Sequence, residues 1–76
     1  MEIKDFIEKF SEQFEDTETT VFTPELEYKE LDEWDSMMAL TIISMIADEY
    51  NVPINGFDLK SSNTIQQLFE TIKNKK

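Results

Sequence analysis

Apolar residues recur at helical spacing at the start of the chain. Ile3, Phe6, Ile7, Phe10 and Phe14 are separated by Glu, Lys, Asp and Gln. That period predicts an amphipathic helix over about residues 2–15. Residues 16–35 keep no period. Asp16, Thr17, Thr19, Thr20, Thr23 and Pro24 favour a loop, yet Val21, Phe22, Leu26, Tyr28, Leu31 and Trp34 are spread along it. A long connection in a compact domain tends to be functional or disordered. Six large apolar side chains argue against disorder, so the stretch is expected to be a loop anchored on the helices. Trp34 and Tyr28 are read as anchors of that loop rather than as ligand platforms.

Residues 36–50 have helix length and no alternation. On a helical wheel Ala39, Leu40, Ile43, Ile46, Ala47 and Tyr50 share one face. Met38, Ile42 and Met45 form a second apolar row beside it, and Thr41, Ser44 and Asp48 fall on the polar side. An element this apolar belongs at the centre of a bundle. Two readings of the second row stay open. It is either a partly exposed contact surface, since methionine adapts to several partners, or it packs beneath the long loop against Trp34 or Phe22.

Asn51-Val52-Pro53 ends this helix, because the residue before proline disfavours helical backbone. After the turn signal Asn55-Gly56, residues 57–61 have room for one short helical turn. Thr64 with Gln67 fits a capping box, and Ile65, Leu68, Phe69 and Ile72 give a last amphipathic helix to about residue 74. Lys73, Lys75 and Lys76 suit its C-terminal dipole. The expected fold is all-α: a single domain over residues 1–76, a four-helix bundle with a short third helix and a long loop between helices I and II.

Composition narrows the function. A 76-residue chain has room for one core and little space for an enclosed active site. With 17 acidic and 7 basic residues the net charge is −10. Such a field repels nucleic acid and anionic lipid and favours protein partners with basic docking patches. The chain has no cysteine and no histidine, so the commonest thiolate, general base and metal ligand are missing. No metal site is expected. The acids Glu25, Glu27, Glu30, Asp32 and Glu33 lack the spacing of an EF-hand loop. They are read as steering charges or as a solvated run. Residues 1–5 lack the basic start and apolar run of a signal peptide, and no stretch has transmembrane length. A cytoplasmic monomer without membrane insertion is expected, and a non-enzyme.

The candidate chemistry lies at Asp35-Ser36, where the long loop meets the second helix. Ser36 reads in two compatible ways. It is a favoured helix N-cap. It is also a reachable hydroxyl beside a positive dipole end, which suits a phosphate ester.

The order of elements, together with Leu31, the triplet Asp35-Ser36-Met37, Leu40, the run Asp48-Glu49-Tyr50 and Thr64-Ile65, resembles the acyl carrier protein family over the whole chain. The resemblance implies that Ser36 accepts 4'-phosphopantetheine from coenzyme A through a phosphopantetheinyl transferase, with Asp35 recognised by that transferase. It implies an arm carrying acyl groups as thioesters, in fatty-acid, polyketide or related biosynthesis, and acyl-loading and acyl-processing enzymes as partners. The triplet departs from the family at Met37, where leucine is usual. Met38 and Thr41 stand where fatty-acid carriers tend to place acids. Met37, Met38, Thr41 and Met45 are therefore the expected partner contacts. The alternatives are a peptidyl or aminoacyl carrier, or an unmodified helical adaptor using helix II.

Overall fold

The computed structural model describes residues 2–76. Met1, part of the N-terminal stretch read above for a signal sequence, lies outside them. Four helices follow in order: α1 (Ile3–Ser11), α2 (Ser36–Tyr50), α3 (Gly56–Ser61) and α4 (Ile65–Lys75). No strand occurs among the described residues. None of the described helices is long and apolar enough to cross a membrane.

Helix α1 buries Phe6 and Phe10 from its apolar stripe. It ends at Ser11, a turn earlier than its period predicts. The Ser11 hydroxyl donates to the Glu8 carbonyl (2.8 Å), and the chain leaves through tight turns onto the Phe10 and Ser11 carbonyls. Phe14 stays buried because the chain folds back there: its ring lies 5.1 Å from Phe22 and 5.5 Å from Phe10. Hydrophobic packing survives although the helical hydrogen bonds do not continue.

Between α1 and α2 the loop holds two 3-10 turns, Thr19–Val21 and Tyr28–Glu30. Phe22 and Tyr28 are buried anchors, Leu26, Leu31 and Trp34 are half-buried, and Val21 is exposed rather than pinned. Backbone bonds secure the loop to the last helix. The Ile65 and Gln66 amides donate to the carbonyls of Leu26 (3.2 Å) and Pro24 (2.9 Å). Two of α4's unpaired first-turn donors are thus satisfied by the loop. Thr64 accepts from the Gln67 amide (3.1 Å), as a cap should, but the Gln67 side chain reaches the Asn63 amide (2.7 Å) and leaves the box half made.

Phe6, Phe10, Ile42, Ile46, Leu59, Ile65, Leu68 and Ile72 meet in one core with Tyr28 and Val52. Helix α1 packs on α2 and α4, and α3 spans α2 and α4. Asn51 ends α2 in the left-handed region (φ 57°), and its amide donates to the Ala47 carbonyl. Asparagine tolerates that conformation better than most residues.

The burial of α2 corrects the wheel. Ile42, Met45 and Ile46 are its buried residues, whereas Leu40 is 64% exposed and Ala47 is exposed. The core axis therefore runs through the expected second row. A helix apolar around most of its girth has a weak period, and its neighbours decide which row turns inward.

Candidate functional site

Helix α2 begins where the acid-rich loop ends, and its first turn fixes the geometry of the site. Asp35 has extended backbone and accepts from the Met38 amide through Oδ1 (2.8 Å). Asp35, not Ser36, is the N-cap. Both residue types cap well, and the helix boundary falls one residue earlier than the serine reading needs. Ser36 becomes the first helical residue. It is exposed, and among the described residues no hydrogen bond engages its hydroxyl. The Ser36 and Met37 amides likewise lack partners there, since the helix ladder starts at Ala39 to Asp35 (3.0 Å). A reachable hydroxyl thus stands beside two free N–H donors at the positive end of a 15-residue helix.

A groove of about 310 Å³ adjoins that hydroxyl. Trp34, Asp35, Ser36 and Ala39 form one side, and Gly56, Leu59 and Lys60 of α3 with Lys29 of the loop form the other. Trp34 anchors the loop as expected, stacked 6.5 Å from Phe14 and edge-on 5.0 Å from Tyr28, and it is also a wall of the groove. Tyr28 is fully buried, with its hydroxyl on the Leu59 carbonyl (2.8 Å) and near the Ser62 carbonyl (3.1 Å). Those contacts fix α3 against the loop. Burial pushes the Tyr28 phenol well above its ordinary range.

Lys29 and Lys60 are charged groups that sequence reasoning missed. The Lys29 ammonium is held on the Lys60 carbonyl (2.7 Å) and Asn63 Oδ1 (3.3 Å). No spacing signal joins residues 31 positions apart, so only the folded loop reveals the pair.

The expected partner contacts separate. Met37 is 76% exposed and shares a face with exposed Leu40, Thr41 and Ser44, at the positions that line up on a helix. Thr41 donates its hydroxyl to the Met37 carbonyl (3.0 Å). Asp48, Glu49 and Gln13 border this stripe. Met38 is half-buried and packs against the core. Met45 is only 7% exposed, which removes it from an open contact surface. Leu40, assigned by the wheel to the core, takes its place on the stripe.

Of the loop acids, Glu33 is engaged rather than free to steer. It accepts from the Thr17 hydroxyl and from the Asp16 amide (3.0 Å), closing the two ends of the loop on each other. The Thr17 hydrogen bond leads the effects that hold its carboxyl below the usual range. Among the described residues, no group of histidine, cysteine, aspartate and glutamate side chains is placed to hold a metal ion.

The donor set suits a phosphate ester on Ser36: a free hydroxyl, two unpaired amides and two ammonium groups on the adjoining groove. The family model described as a phosphopantetheine attachment site matches residues 5–72 of the 76. No curated protein and no solved structure is matched by the chain.

Proposed function

This chain belongs to the phosphopantetheine-attachment family, whose domains carry 4'-phosphopantetheine covalently, and on that premise we propose that Ser36 is the attachment residue of an acyl carrier protein. The observation that carries the assignment is the transfer of the cap to Asp35, which leaves the Ser36 hydroxyl exposed and unengaged at the first residue of α2.

The chain's own residues divide the work. Asp35 fixes the first turn through one carboxylate oxygen and offers the other, with its charge, to a basic transferase surface. Ser36 Oγ would be the nucleophile that attacks the pantetheine-bearing phosphorus of coenzyme A in the transferase, giving up its proton there, while the pyrophosphate bond breaks and the nucleotide half leaves as adenosine 3',5'-bisphosphate. The amides of Ser36 and Met37, unpaired at the start of α2, would favour the charged ester there. When bound, the arm supplies the thiol that holds the acyl group as a thioester, so the absence of cysteine from the chain is no obstacle. The chain breaks no bond in its cargo. It acts as a tether that raises the effective concentration of that cargo at each partner enzyme.

Met37, Leu40 and Thr41 are the contact stripe for those partners. Apolar side chains there supply contact area, and Asp48 at its border favours basic patches. This surface lacks acids in the first turn of α2, which separates it from carriers that dock mainly by charge. Fatty-acid, polyketide or related acyl chemistry in the cytoplasm, served by a monomer, is the setting proposed.

Incubation with coenzyme A and a promiscuous phosphopantetheinyl transferase, followed by intact mass, tests the assignment. The wild type is expected to gain one arm and Ser36→Ala none. A folded wild type that gains nothing would sink it and leave an unmodified adaptor in its place.

A further inference from the structure

The chain's four methionines hold all of its sulfur, since it has no cysteine. Three of them stand on α2, and the fold treats each differently. Met45 is 7% exposed in the core, Met38 is half-buried against it, and Met37 is 76% exposed. Met37 follows Ser36 directly and lines a groove of about 490 Å³ together with Leu40, Thr41 and Ser44. Its carbonyl accepts from the Thr41 hydroxyl (3.0 Å), so the backbone beneath the thioether is held while the side chain reaches into solvent. Met37 and Leu40 are the large apolar side chains that α2 exposes among the described residues. With no acid in the first turn of α2, contact there depends on these two side chains more than on charge. The sulfur that an oxidant reaches most readily therefore belongs to half of that apolar contact.

Resting on the reading of the Met37 stripe as the partner surface, we infer that Met37 is a reversible oxidation site, whose methionine sulfoxide form weakens docking beside Ser36 without loosening the fold. The oxidant is a hydroperoxide, of which hydrogen peroxide is the simplest. The thioether sulfur gives an electron pair to one peroxide oxygen, the O–O bond breaks, an S–O bond forms and water leaves. Sulfur is oxidised and the peroxide reduced in the same step. A methionine sulfoxide reductase reverses it, releasing the oxygen as water while its own thiols close to a disulfide. Hydrogen peroxide is uncharged at neutral pH, so the net charge of −10 does not hold it off as it would an anionic oxidant. The product is a flexible apolar side chain turned polar, at the residue that follows the serine to be loaded. Leucine, usual at this position in the family, has no sulfur and cannot undergo the step.

Apo protein is prepared as wild type, Met37→Leu and Met37→Gln, treated with hydrogen peroxide, freed of it with catalase, and loaded from coenzyme A by the promiscuous transferase, which serves as the partner. Peptide mass spectra locate the added oxygen, thermal melts follow the fold, and loading rates give kcat and KM for the protein. Met37 is expected to oxidise before Met38 and Met45, with the melting temperature unchanged. KM of the oxidised wild type should rise about tenfold, as expected when one apolar contact buried by the partner turns polar, with kcat little altered. Each protein is compared with its own untreated sample. Treatment should leave the Met37→Leu rates where they were, and methionine sulfoxide reductase should restore the wild type. Met38 or Met45 oxidising first, a Met37 sulfoxide that loads like untreated protein, or an equal loss in treated Met37→Leu overturns the inference. Met37→Gln is polar without oxidation and separates the inference from the reading beneath it. Untreated Met37→Gln that loads as fast as wild type overturns both, whereas slow loading of Met37→Gln with an unreactive Met37 in the wild type overturns the inference alone. A wild type that takes up no arm overturns the Ser36 assignment as well.

Discussion

Tyr28→Phe removes one oxygen from the point where the long loop grips α3. The hydroxyl proton is shared between the Leu59 carbonyl at 2.8 Å and the Ser62 carbonyl at 3.1 Å, both on residues that are almost wholly buried. These carbonyls lie at the C-terminal end of a six-residue helix, where the backbone ladder has run out. The phenylalanine ring keeps its packing against Phe10 (5.6 Å) and Trp34 (5.0 Å), so the change isolates the hydrogen bond from the core. Leaving a buried acceptor unpaired costs about 1–3 kcal/mol. At about 2 kcal/mol, and about 4–8 °C per kcal/mol for a domain of this size, Tm falls by about 8–16 °C. With a urea slope of about 1 kcal/mol per molar, the midpoint drops by about 2 M. Urea titrations followed by far-ultraviolet circular dichroism measure it, and hydrogen exchange should show α3 amides losing protection before those of α1 and α4. A loss below about 0.5 kcal/mol would refute the argument, because it would mean that the two carbonyls find water or another donor as good as Tyr28.

Further outcomes follow from the same geometry. Asp35→Asn keeps the cap and should change stability by less than about 0.5 kcal/mol, yet slow loading by the transferase, whereas Asp35→Ala loses about 0.5–2 kcal/mol as well; thermal melts and timed mass spectra separate cap from charge. Met45→Ala, in the core, should cost about 2–5 kcal/mol, while Leu40→Gln on the exposed stripe should stay within about 0.5 kcal/mol and impair transfer to partner enzymes; equal stability losses would restore the original wheel. Folded Tyr28 and Tyr50 ionise above their ordinary range, chiefly through burial, and unfolded tyrosine ionises near about pH 10. The folded state therefore holds more protons above that pH, and stability falls as pH rises through it. Urea midpoints from about pH 8 to about pH 11 should decline less steeply in Tyr28→Phe than in wild type. Thr17→Val removes the leading cause of the lowered Glu33 carboxyl, so its pKa should rise toward the ordinary carboxylate value in a carboxyl-resolved NMR titration.

What the sequence disclosed was the part of the structure written in local pattern. The stripe of α1, the cap and stripe of α4 and the turn before α3 all depend on neighbours three or four residues away. The position of Ser36 at a loop-to-helix junction was legible for the same reason. The face of α2 was not, because Leu40, Ile42 and Met45 are equally apolar, and the packing of α1, α3 and α4 decides which turn inward. Nor was the division of labour at Asp35-Ser36, since two good caps stand side by side and a shift of one residue exchanges their roles. The early end of α1 escaped because Phe14 keeps the helical period while serving a turn. Lys29 and Lys60 escaped most completely, for their nearness belongs to the tertiary fold alone.

Trp34 gives the molecule a built-in optical gauge. It is the sole tryptophan, with Phe14 and Tyr28 against it on the inside and the groove beside Ser36 on the outside. Indole emission depends on the polarity and wetness of its surroundings. Whatever fills or vacates that groove must change the emission of this one ring, while events on the Met37 stripe or at the far end of α4 leave it comparatively untouched. An unlabelled sample therefore reports, by colour alone, whether that groove is filled or empty.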